Sequence, residues 1–147
     1  MAAIRHSIEI ARPPEAVFAY LDQLDRHGEW QSTIVSTKVE TDGPTRVGSR
    51  ATDRRKVPGG EQDVTYEITE HNPPRRAAFK GTNGPVRPVG WVSVEPAGEG
   101  RSRLTLELDL RGHGLLGLFV SPLARMQARK LVPQDHERLK ERLEAGT

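Results

Sequence analysis

The sequence predicts an α+β fold: a curved, seven-stranded antiparallel sheet wrapped around one long C-terminal helix, with two short helices after the first strand. Three observations predict it. The run from Leu115 to Leu143 is the only segment long enough, and apolar enough on one side, to form the spine of a core. Ahead of it, short strand-like stretches are separated by turn formers such as Asp42-Gly43-Pro44, Pro58-Gly59-Gly60, Asn72-Pro73-Pro74 and Thr82-Asn83-Gly84-Pro85. Strands joined by turns this short pair antiparallel, and a sheet with one apolar face needs helices to cover it.

The first strand runs from Ile4 to Ala11. Ile4, His6, Ile8 and Ile10 face one way, and Arg5, Ser7 and Glu9 the other. Arg12-Pro13-Pro14-Glu15 ends it and opens a helix, because proline costs little in a first helical turn and Glu15 suits the positive end. Asp25 to Gly28 forms a second short helix. Trp30 follows as a packing anchor between the short helices and the sheet, or as a residue at a pocket mouth. Further strands are expected at Ile34–Thr41, Val47–Val57, Gln62–His71, Arg76–Gly81 and Val89–Glu95. The strand through Leu104, Leu106, Leu108 and Leu110 alternates most cleanly, with Thr105, Glu107, Asp109 and Arg111 on its other face.

On a helical wheel, Leu115, Leu116, Phe119, Val120, Leu123, Met126 and Leu131 share one broad face. Leu139 and Leu143 fall roughly opposite, about 140–180° from Leu116. Pro133 lies between the two groups, and a proline inside a helix removes a backbone bond and clashes with the preceding turn. A kink near Arg129–Pro133 is therefore expected to let both halves face the sheet, the first as a pocket wall and the second as a clamp; two separate helices are the alternative. Gln127 and Lys130 interrupt the first apolar face and lie in the pocket or at its rim. Gly112, Gly114 and Gly117 mark either a hinge or a tight strand-to-helix turn.

The 147 residues suit one domain spanning 1–147 with a core of its own. Cysteine is absent, which excludes a disulfide framework and thiolate metal sites. The formal charge is +2, and basic residues are spread along the chain with one local cluster at Arg54-Arg55-Lys56, without the aromatic interleaving of a nucleic-acid binder. There is no signal-peptide apolar region near Met1 and no run of roughly 20 apolar residues, so no membrane span and a cytoplasmic location are expected.

Several stretches together resemble the START/Bet v 1-like (SRPBCC) superfamily, in particular bacterial members of the polyketide cyclase/dehydrase and lipid-transport type. They are Ile10-Ala11-Arg12-Pro13-Pro14-Glu15-Ala16-Val17-Phe18, then Leu21-Asp22 and Trp30. Val47-Gly48-Ser49, Tyr66-Glu67-Ile68-Thr69-Glu70 with Pro73-Pro74-Arg75-Arg76, Glu95-Pro96 before Gly100 and Leu104-Thr105, and Leu139-Lys140-Glu141-Arg142-Leu143-Glu144 complete the set. The resemblance covers nearly the whole chain. It implies a helix-grip fold with a deep apolar cavity between sheet and helix, and a hydrophobic or polycyclic small molecule as ligand. It supplies no shared catalytic set to carry over.

No nucleophile elbow, phosphate loop, dinucleotide fingerprint or zinc-protease helix occurs, and the five histidines are scattered. No metal and no cofactor are expected. Two functions stay open. An enzyme would cyclise, aromatise or dehydrate a polyketide-like substrate by holding it in a reactive fold. Its candidates are His6 as base, Tyr66 as donor to a carbonyl, and Arg54 as holder of an oxyanion. His6 is otherwise a hydrogen-bonded core residue. A carrier or sensor would use the same pocket without chemistry, through Trp30, Phe79, Trp91, Leu123, Met126 and Gln127. The oligomeric state is open, a homodimer included.

Overall fold

The computed structural model describes residues 3–146. Its seven strands are β1 (Ile4–Ile10), β2 (Ile34–Val39), β3 (Arg50–Val57), β4 (Gly60–Asn72), β5 (Arg76–Gly81), β6 (Val86–Pro96) and β7 (Ser102–Gly112). They form one antiparallel sheet in the order β1-β7-β6-β5-β4-β3-β2. β2 to β7 therefore make a meander, and β1 joins at the far edge beside β7. Between β1 and β2 lie α1 (Pro14–Leu21) and a short 3-10 helix (Leu24–Glu29); α2 (Gly114–Glu144) closes the chain.

Alternation decides which face is enclosed. In β1, His6 pairs with Leu106, which pairs with Val92, which pairs with Ala77. With Ile8, Ile10, Leu104 and Val94 these residues face the helices. The main core joins Ile10, Val94 and Leu104 to Val17, Phe18 and Tyr20 of α1, to Trp30, and to Leu139 and Leu143 of α2. A second cluster unites Leu24, Ala51, Tyr66 and Ile68, with Phe79 packed against it. Its members come from the 3-10 helix and from β3 to β5, the side of the sheet that α2 does not cover.

The C-terminal half of α2 packs as the sequence predicts: Leu139 and Leu143 are fully buried. The first half does not. α2 is one helix through both Pro122 and Pro133, and its buried residues Gly117, Ser121, Asp135, His136, Leu139 and Leu143 share one side at about 100° per residue. Leu115, Leu116, Phe119, Leu123 and Met126 lie on the opposite side and are exposed. The wheel placed the two apolar groups opposite each other; because the helix runs on without breaking, the side that seats Leu139 and Leu143 also decides what the first half buries, and that is glycine and serine. The glycines form a tight junction: a Cβ on Gly117 would come 2.2 Å from the Pro85 carbonyl oxygen, and Gly114 has φ +71°. Close approach of the first helical turn to the β5–β6 turn and to Gly112 accounts for this pattern.

Candidate ligand-binding face

Tyr66 lies in the second cluster. On β4 it pairs with Ala51 of β3 and Gly81 of β5. The Phe79 ring meets its ring edge-on, with centroids 6.4 Å apart. Tyr66 is only 8% exposed, yet its hydroxyl has no hydrogen-bond partner. A buried hydroxyl left without a partner costs about 1–3 kcal/mol. Burial, with the carboxylate of Asp53 nearby, pushes the phenol pKa up, so the group stays a donor.

Asp53 and Arg55 share the inward phase of β3. Asp53 is 1% exposed; it accepts from Thr37 Oγ1 at 2.7 Å and from the Arg55 guanidinium at 3.1 Å. Arg55 also donates to Gln31 Oε1 (2.6 Å) and Thr33 Oγ1 (2.9 Å). This buried charge is therefore paired, and it ties β3 to β2 and to the loop before it. His27, half-buried on the 3-10 helix, donates from Nε2 to the Leu21 carbonyl oxygen at 2.7 Å. Burial holds its pKa below the usual histidine value.

His6 does not approach Tyr66. Its Nδ1 lies 2.7 Å from Nδ1 of His136 on α2, so one ring donates and the other accepts. Burial first, and then the neighbouring His6, pushes His136 down to about 4. His136 also packs against Trp30, which packs against His27, at ring separations of 6.3 and 5.5 Å. A file of four rings thus runs from β1 through α2 to the 3-10 helix. Next to it, Asp135 accepts from the Ser32 N–H, and Arg138 donates to the Trp30 carbonyl oxygen. His6 and Tyr66 are four strand spacings apart, roughly 19 Å along the sheet at about 4.8 Å per strand.

The remaining residues singled out from the sequence divide sharply. Phe79 and Trp30 face the enclosed side; the indole Nε1 of Trp30, like the Tyr66 hydroxyl, has no partner. Gln127 is half-buried on α2. Arg54 is on the outer face, half exposed, and paired with Glu61 at 2.8 Å and Asp63 at 3.1 Å. Trp91 is also outside: its Nε1 donates to Glu107 at 2.7 Å, and the guanidiniums of Arg5 and Arg76 lie 5.4 and 4.4 Å from its ring centre. Both placements have one cause. Neighbouring residues on a strand face opposite ways, so inward Asp53 and Arg55 turn Arg54 out, and inward Val92 turns Trp91 out. Leu123 and Met126 point away from the sheet on the outer side of α2. The sequence reading missed His136, Asp53 and Arg55. His136 carried a usable signal, being three and seven residues before Leu139 and Leu143 on the same helical side.

A one-sided antiparallel sheet closed by a C-terminal helix, with apolar and hydrogen-bonding groups on the enclosed face, is the helix-grip architecture of START-like proteins. The chain belongs to the family described as polyketide cyclase/dehydrase and lipid transport, whose sequence pattern it matches over residues 1–144. It is 26% identical over 126 residues to the uncharacterised protein Rv1546 of Mycobacterium tuberculosis, covering 85% of this chain and 87% of that protein. In fold it is similar to TTHA0849 from Thermus thermophilus (TM-score 0.80, 22% identity, 99% of both chains). The Zhui aromatase/cyclase from Streptomyces sp. R1128 has a TM-score of 0.70 at 17% identity, covering 92% of this chain and 87% of that one. At these identities the structural likeness speaks to the fold alone. No helix among the described residues is long and apolar enough to cross a membrane.

Proposed function

We propose that the protein binds an apolar small molecule carrying a hydrogen-bond acceptor, such as a ketone or quinone oxygen, on the enclosed face of β3 to β5. The Tyr66 hydroxyl is the observation that carries this reading: a buried donor without a partner, beside the aromatic wall of Phe79. The indole Nε1 of Trp30, in the neighbouring main core, is a second buried donor without a partner. The separation of His6 from Tyr66 favours binding over chemistry, since the two cannot act on one reacting atom. Membership of a polyketide cyclase and lipid-transport family agrees with an apolar or polycyclic ligand.

A second reading adds catalysis. It is favoured by the likeness in fold to an aromatase/cyclase, and in it Tyr66 polarises the carbonyl next to which a new ring closes. Native mass spectrometry of the purified protein against a library of polycyclic ketones separates the two. On the binding reading, a retained ligand is recovered unchanged, and Tyr66→Phe weakens its affinity by about tenfold, the loss of one hydrogen bond. On the catalytic reading, a cyclised or dehydrated product appears, and Tyr66→Phe suppresses it while the ligand stays bound. Retention of no apolar compound, or a Tyr66→Phe protein equal to the wild type in both respects, would overturn the assignment of this face.

A further inference from the structure

We infer that the first half of α2 is a docking surface for an anionic lipid membrane. Leu115, Leu116, Phe119, Leu123 and Met126 are 79%, 63%, 79%, 52% and 67% exposed. At about 100° per residue they share one side of the helix, with Pro122 among them. On the other side Gly117 and Ser121 are buried, and Gly117 seats the helix closely on the β5–β6 turn and the end of β7. The helix cannot roll its leucines inward without losing that seat and the anchorage of Leu139 and Leu143. The apolar stripe is thus a fixed outer feature of the fold, and a partner of apolar character is what it fits.

The charge around the stripe selects the partner. From Leu110 to Gln134 the chain contains no aspartate or glutamate, but it carries Arg111, His113, Arg125, Arg129 and Lys130. Arg129 and Lys130 are exposed one turn beyond Met126. At the other end of the stripe, Arg111 and His113 line a crevice of about 410 Å³ together with Lys80 and Arg87. Asp109 is the acid close by, and it is already bonded to both Arg111 and Arg125. A second copy of the chain laid stripe on stripe would bring cation against cation. Anionic headgroups match both the apolar strip and its basic ends. Residues 114–126 span about 20 Å as a helix, short of the roughly 30 Å hydrocarbon core, so the segment lies in the plane of the interface.

Co-sedimentation with vesicles tests this. The full chain is expected to sediment with vesicles of phosphatidylcholine mixed with phosphatidylglycerol, and much less with pure phosphatidylcholine. Added salt should weaken the binding. Phe119→Asp and Leu116→Asp should abolish it while leaving the circular dichroism spectrum unchanged, because both side chains already face water. Lys130→Gln should weaken it by about fivefold, corresponding to about 1 kcal/mol per basic group near the surface. Three results would overturn the proposal: no sedimentation with either vesicle; equal binding to both, which removes the anionic selectivity; or a dimer by analytical ultracentrifugation that Phe119→Asp dissociates, which assigns the stripe to a second copy.

Discussion

At the scale of single residues, the His6–His136 pair makes the clearest claim about solution behaviour. His136 is held neutral between β1 and α2, with its pKa at about 4 against an ordinary 6.5. Below pH 6.5 the unfolded chain takes up a proton that folded His136 refuses. Its contribution is therefore fully present above pH 6.5, declines as the pH falls, and levels off near pH 4. The total is about 3 kcal/mol at most. Urea denaturation across that range should give a steep acid-side loss for the wild type and a flatter one for His136→Gln; equal slopes would remove the role assigned to the pair. His6 was legible in the sequence as a histidine on an apolar strand face, but its partner, 130 residues away, was not. Tyr66 was legible as an inward residue of β4. That its hydroxyl lacks a partner depends on what neighbouring strands bring alongside, and no local pattern records that.

At the scale of elements, α2 separates what periodicity can and cannot tell. The wheel located two apolar groups on opposite sides, and both are there. The expected kink near Arg129–Pro133 was to turn both toward the sheet, but only the second group is buried. That choice rests on how closely Gly117 lets the backbone approach the β5–β6 turn, a contact between segments far apart in sequence. The two halves should consequently respond differently to truncation. Leu139→Ala should cost about 2–5 kcal/mol in urea unfolding, the range for a leucine removed from a closed core. Leu123→Ala should stay within about 0.5 kcal/mol, as for a surface position. Comparable losses at both sites would mean that the first half is also packed. The strands were easier to read: the Arg76–Gly81 bounds agree with β5, and the leucine ladder of β7 fixes its inward face without help. β3 was harder, since its inward positions carry Asp53 and Arg55, and a buried ion pair leaves no hydrophobic alternation to follow.

At the scale of the whole molecule, strand order was inferable because short turns force neighbours to pair, and only β1 needed a distant partner. The enclosed face is built unevenly. Near β1, β6 and β7 it is filled by leucines, valines and the helices; near β3 to β5 aromatic and polar groups join the apolar ones. The placement of β1 also bears on the order in which the molecule assembles. β1 leaves the ribosome well before its partners, Ser102 to Leu108 of β7 and His136 of α2, are made. The β2-to-β7 meander can zip through local hairpins, while β1 must wait for a closure across about a hundred residues, and such non-local pairings are slow. Pulse-labelled hydrogen exchange during refolding should find amides of β3 to β5 protected before those of β1; earlier protection of β1 would reverse this order. Until that closure a half-apolar strand with unpaired edges stays open to solvent, so β1 is a segment for which chaperone protection during synthesis matters.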